Sequence, residues 1–241
     1  MKQSDYINEL IEQGRFTEAK LLLSAGTVRP EAIFELAFNL GNGFYSCEQF
    51  RDARESFALA RRYENIGRLA TVKFANCLLQ TGDRADALSI LYEVSDNISA
   101  LPQEALDIFL RIVVHLREYT LLAKAEQKAR LRFPNTSFYW FAGGALAFKH
   151  ERYFQAITFF GRAVELSPVK ASYRLALARA FLKLKRETEA IRVLDEIDLS
   201  EIPCIADIML MKIVFSEIGY YEGIENCCSE LTRRYFQKNQ T

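Results

Sequence analysis

Residues 137–170 read SFYWFAGGALAFKHERYFQAITFFGRAVELSPVK. The first part is an apolar run from 138 to 148, interrupted by the polar triplet Lys149-His150-Glu151. Beyond the triplet, Tyr153, Ala156, Phe160 and Ala163 recur at spacings of three and four, which places them on one face of a helix. The triplet therefore reads as a tight turn between two helices. An apolar stripe on the second helix faces the first.

The same arrangement recurs along the chain. Small residues stand at Ala19, Ala53, Ala87, Ala156 and Ala190, at steps of 34, 34, 69 and 34. The step of 69 divides into 35 and 34 with Leu122 in the vacant slot, and one further step of 34 reaches Ile224. Four residues beyond each stands Leu23, Phe57, Leu91, Glu126, Phe160, Leu194 or Cys228. Short breakers precede these pairs at Gln13-Gly14-Arg15, Ser46-Cys47-Glu48, Thr81-Gly82-Asp83, Lys185-Arg186-Glu187 and Ile218-Gly219-Tyr220. An aromatic residue often follows the turn, at Phe16, Phe50, Tyr119, Tyr153 and Tyr221, where it can wedge the helix pair. A fixed period of this length marks a repeat array, because one helix pair cannot bury both of its apolar faces alone.

This pattern resembles that of the tetratricopeptide repeat (TPR) family. In residues 137–170 the resemblance is carried by Trp140, Gly143-Gly144, Ala147, Tyr153, Ala156, Phe160, Ala163 and Pro168. The unit from Phe34 matches through Ala37, Leu40, Gly41, Phe44, Phe50, Ala53, Phe57 and Ala60. The resemblance implies an all-α fold, a right-handed superhelical solenoid of about seven antiparallel helix pairs in a single domain. The expected units are 1–33, 34–67, 68–101, 102–136, 137–170, 171–204 and 205–241. The fourth is irregular, with Leu122 in the place of the small residue and Glu126 in the place of the aromatic, and reads as a softer joint. The helix around 222–237 reads as a cap, with Ile224, Cys227, Cys228, Leu231 and Tyr235 on its inner face and Arg233 and Arg234 on its wet face.

Composition agrees with a folded helical chain. Half of the 241 residues are hydrophobic, while Pro and Gly number only 5 and 11. The polar N-terminus offers no signal-peptide core, and the longest apolar run is too short for a membrane span. Five cysteines without a CxxC read as free thiols in the cytoplasm. Two histidines, His115 and His150, belong to no metal-ligand spacing, and no nucleotide-binding or nucleophile motif occurs. The expectation is a non-enzyme with no catalytic residue, cofactor or metal.

In the family that the chain resembles, the first helices of successive pairs line a groove for a peptide or helix of a partner protein. Carried over here, the groove candidates are Asn8, Asn42 and Asn76, an amide ladder at intervals of 34, with Phe38, Tyr45, Phe141 and Phe148 as apolar anchors. Arg111, Lys149, Arg179 and Lys183 add positive charge. Formal charge is zero overall but −3 over 1–102, +8 over 103–192 and −5 over 193–241. The matching partner is an extended or helical protein segment with apolar anchors and an acidic stretch, and the chain reads as an adaptor or scaffold. The carboxylate clamp of chaperone-binding members is not supported: Asn8 and Asn39 fit it, but Ser4 and Leu69 replace lysines and Lys73 replaces an arginine. The alternative is RNA binding by the basic middle repeats, against which the acidic flanks weigh.

Overall fold

The computed structural model describes residues 3–26, 28–64, 68–202 and 204–238. Among these residues the chain forms fourteen α-helices and no strand. They are α1 (Gln3–Glu12) with α2 (Phe16–Ser24), α3 (Pro30–Ser46) with α4 (Phe50–Ala60), and α5 (Leu69–Gln80) with α6 (Arg84–Ser95). There follow α7 (Gln103–Leu116) with α8 (Tyr119–Arg132), α9 (Ser137–Lys149) with α10 (Tyr153–Leu166), α11 (Ala171–Lys183) with α12 (Glu187–Asp195), and α13 (Ile205–Ile218) with α14 (Tyr221–Lys238). The chain divides into two compact units, one ending at Ala125 and the other beginning at Glu126, so that the boundary falls inside α8.

One backbone device closes every pair. Gly14, Glu48, Gly82, Arg117, Glu151, Lys185 and Gly219 all lie in the left-handed region, with φ of 74°, 58°, 92°, 57°, 58°, 58° and 75°. The next amide in each case donates back to a carbonyl five residues earlier. These bonds run from Arg15 to Leu10 (2.8 Å), Gln49 to Phe44 (2.9 Å), Asp83 to Leu78 (2.8 Å) and Glu118 to Val113 (3.0 Å). They continue from Arg152 to Ala147 (2.9 Å), Arg186 to Phe181 (3.0 Å) and Tyr220 to Phe215 (3.0 Å). Each satisfies a carbonyl that the end of the first helix would leave orphaned, and reverses the chain.

Packing follows from the small residues opposite the stripe. Phe57 lies over Gly41, where an added Cβ would sit 2.8 Å from the ring, and Phe160 lies over Gly144 in the same way. Phe160 is 3% exposed, Phe57 fully buried. Wedging aromatics close the turn side: Phe16 packs on Phe44 (5.6 Å between centroids), Phe50 on Tyr45 (5.3 Å) and Tyr153 on Phe148 (5.4 Å). In the last pair the wedge is Tyr220, 5.3 Å from Phe215, and not Tyr221, which is 78% exposed. The helix begins two residues after the left-handed residue, as in the other pairs, so the ring contact here is made by the residue before the helix and not by the one that opens it.

The irregular fourth pair buries its exceptional residues. Leu122 is buried, and so is Glu126, whose carboxylate lies 3.5 Å from the Arg130 guanidinium. That guanidinium sits 4.6 Å from the Phe159 centroid and 5.0 Å from that of Trp140. The Glu126 carboxylate occupies the space over Gly143. On α14, Cys227 is buried as a capping helix requires, but Tyr235 is 66% exposed and packs on Phe236 at 5.9 Å. Arg234, read from the sequence as a wet-face residue, instead turns inward. Its guanidinium donates to the carbonyls of Leu199 (2.8 Å), Ser200 (3.2 Å) and Ile202 (2.5 Å), tying α14 to the 3-10 turn Leu199–Glu201.

Three outcomes are expected. A non-glycine residue in the left-handed region costs about 1–2 kcal/mol, and glycine returns roughly 0.4–1 kcal/mol of that through the entropy of the unfolded chain. Glu151→Gly or Lys185→Gly should thus raise stability by about 0.5–1 kcal/mol in urea denaturation. Phe160→Ala should cost about 3–5 kcal/mol and Gly144→Ala about 1–3 kcal/mol, while the double variant should lose less than their sum, since the two groups collide.

The third concerns pH. Burial pushes the Glu126 carboxyl above its ordinary 4.5, against the pull of Arg130 and Arg152. A carboxyl with a raised folded pKa holds more protons folded than unfolded, so its contribution is present below the unfolded value and is lost as pH rises through the folded one. Urea midpoints of the wild type and Glu126→Gln, compared from about pH 4 to about pH 8, should shift in the variant's favour as pH rises. A constant gap would show that Glu126 does not titrate in this range.

Candidate functional site

The first helices carry the half-buried and exposed positions that the sequence singled out. In the unit ending at Ala125, α1, α3, α5 and α7 carry Asn8, Asn42, Asn76 and Arg111, the first three half-buried and the last exposed. The asparagines do not stand as an open ladder. Asn42 Oδ1 accepts from Lys73 Nζ at 2.8 Å, and Asn76 Nδ2 donates to the Tyr45 hydroxyl at 2.8 Å. These bonds join α3 to α5.

Lys73, which the spacing argument passed over, is the hub of this face. Its ammonium also pairs with Glu104 at 2.9 Å and lies 4.9 Å from the Phe38 centroid. Phe38 is half-buried, stacked on Phe34 at 5.7 Å and edge-on to Phe57 at 5.8 Å. Burial pushes the Tyr45 phenol up, and pushes the neighbouring Cys77 thiol up to about 12, which leaves that cysteine inert. Arg111 binds Asp107 one turn earlier through Nε (2.6 Å) and Nη2 (3.4 Å).

In the unit beginning at Glu126, α9 and α11 bring together a different set. Phe141 is stacked on Tyr173 at 4.9 Å and tilted against Phe160 at 5.6 Å. Phe148 is half-buried, and the Arg179 guanidinium lies 5.8 Å from its centroid. Lys149, Arg179 and Lys183 are exposed. Among the described residues, neither Arg179 nor Lys183 takes part in a salt bridge. On α13, Met209 and Ile213 are each 54% exposed and border a hollow of about 450 Å³ with Lys212, Ser216 and Leu231. Their apolar character was legible in the sequence, but their exposure was not, because it depends on what packs over α13.

Among the described residues, no three His, Cys, Asp or Glu come close enough to hold a metal ion. The five cysteines are unpaired, and burial pushes Cys227 up to about 11. No helix of the described residues is long and apolar enough to cross a membrane.

Comparison with known proteins fits this architecture. Residues 141–201 match the tetratricopeptide repeat family. No curated protein matches the sequence. Among solved structures, a tetratricopeptide repeat protein from Parabacteroides merdae ATCC 43184 is 14% identical, over 96% of this chain and 90% of that one, with a TM-score of 0.69. PilF of Pseudomonas aeruginosa is 13% identical, over 88% of this chain and 98% of its own, with a TM-score of 0.63. MamA (residue 41 to the end) from Desulfovibrio magneticus RS-1 is 15% identical, over 68% of this chain and 92% of its own, with a TM-score of 0.57. At such identities the likeness is one of fold. Together with the seven turns of one geometry and the aromatic-over-glycine packing, the match over residues 141–201 shows a tetratricopeptide-like helical repeat.

Proposed function

We propose that this protein is a non-enzymatic adaptor or scaffold that holds a segment of a partner protein against the exposed faces of its first helices. The observation that carries the reading is the row of Lys149, Arg179 and Lys183 on α9 and α11, beside the half-buried rings of Phe141 and Phe148. A row of one sign, with apolar surface between, suits a segment that has spaced apolar anchors and an acidic stretch. The exposed thiols of Cys47 and Cys204 fit a reducing compartment, the cytoplasm.

Single-stranded RNA is the rival ligand for a basic face with aromatics. It needs open ring faces on which bases stack. Phe141 instead lies against Tyr173, with 25° between the ring planes, and Phe148 meets Tyr153 edge-on. Both rings face other rings of the protein, which disfavours base stacking.

Charge at an exposed face sets encounter and orientation, while desolvated anchors set release. Reversing Lys149, Arg179 and Lys183 together to Glu should weaken binding of a partner recovered from the native host by roughly 10-fold or more and flatten its salt dependence. Phe148→Ala should mainly speed dissociation. Surface plasmon resonance at several salt concentrations reads both. An unchanged affinity and salt slope in the triple variant would remove this face from the interaction, and submicromolar retention of single-stranded RNA on a filter would replace the reading.

A further inference from the structure

The aromatic wedge has an exception in the third pair, and the exception leaves a space. In the first two pairs the residue that opens the second helix is Phe16 or Phe50. Phe16 reaches across to the next pair, packing on Phe44 and covering Gly43. At the corresponding position of α6 stands Arg84. Its guanidinium does not fill the wedge site but spans it, donating through Nη2 to the Leu116 carbonyl at 3.2 Å. In the sixth pair, where Glu187 also departs from the aromatic, the Arg186 guanidinium lies 4.9 Å from the Phe181 centroid.

Beside Arg84 lies an open hollow of about 500 Å³ between α5 and α7. That size falls within the range of built ligand pockets. Its floor is apolar, formed by Leu79, Ile112 and Leu116, and its rim carries Arg84, Arg111 and His115. No carboxylate is among the lining residues. The nearest acid on α7, Asp107, is already engaged by Arg111.

We propose that this hollow is an anchor site for an aromatic side chain of a partner protein segment, with a carboxylate next to that residue meeting the rim of Arg84, Arg111 and His115. The ring would take the place of the wedge that the third pair lacks. The charge of the rim selects the flank: an acidic neighbour is attracted and a basic one is opposed. This inference rests on the reading of the first-helix faces as a partner-binding surface, and adds to it where one anchor goes and what it is.

The test uses the full chain, labelled with nitrogen-15, and a nine-residue synthetic peptide with Phe-Asp-Glu at its centre and Ser and Gly flanks. Saturable shifts are expected at the amides of Leu79, Ile112, His115 and Leu116. A Leu-Asp-Glu peptide should bind the wild type about 10-fold more weakly, and a Phe-Asn-Gln peptide should bind more weakly with little salt dependence. Arg84→Phe restores an internal wedge, so that variant should stay folded and lose the shifts, while Arg111→Gln should weaken them. If Arg84→Phe does not fold, the three peptides on the wild type still decide. Shifts confined to the surroundings of Lys149, Arg179 and Lys183 would overturn the anchor site and leave the proposed function standing. Absence of shifts anywhere at about 5 mM peptide would overturn the anchor site and count against the wider reading as well. Equal binding of Phe and Leu peptides would also overturn it.

Discussion

A single residue in the left-handed region closes each helix pair, and everything else is built on that reversal. A helix end leaves carbonyls without partners, and the bond that runs back from the residue after the turn satisfies one of them while sending the chain the other way. Only three of the seven positions use glycine. At Glu48, Arg117, Glu151 and Lys185 the chain accepts a backbone conformation that side chains disfavour, which it can do because the helices on both sides are held by buried contacts. The reversal fixes which face of the second helix meets the first, and so puts Phe57 over Gly41 and Phe160 over Gly144.

The fold was legible because the packing is periodic and the period is written in residue types that have few other uses. Alanine and a large apolar residue four positions on, recurring at 34, leave little room for another architecture. The irregular fourth pair was visible as a departure, in Leu122 and Glu126, but its resolution was not. That Glu126 would be buried against Arg130 requires the guanidinium to lie between Trp140 and Phe159, a geometry set by residues on three helices. The exchange of Tyr221 for Tyr220, and the inward turn of Arg234, were hidden for a related reason: which of two adjacent aromatics packs inward, or which way a long side chain points, leaves no trace in a repeat pattern.

The candidate surface shows the same limit from the other side. Spacing brought Asn42 and Asn76 to one face, but it could not show that the amides are engaged by Lys73 and Tyr45. The polar ladder therefore serves cohesion between α3 and α5, and the proposed recognition falls to the cations of α9 and α11 and to the hollow beside Arg84. Lys73 entered the sequence reading only at the clamp comparison, because its partners, Asn42 and Glu104, lie 31 residues before and after it, three short of the period of 34.

Trp140 is the sole tryptophan, and its setting gives the molecule a local optical reporter. The indole Nε1 donates to the Pro134 carbonyl at 2.6 Å, Phe159 meets it edge-on at 5.8 Å, and the Arg130 guanidinium lies 5.0 Å from its centroid. Its emission is thus set by a cation, a carbonyl and a ring drawn from α8, α10 and the link before α9. Fluorescence of this protein reads the state of that corner alone. It reports on the rest of the chain only to the extent that the seven pairs unfold together, which makes a comparison of indole emission with far-ultraviolet ellipticity a direct measure of cooperativity along the array.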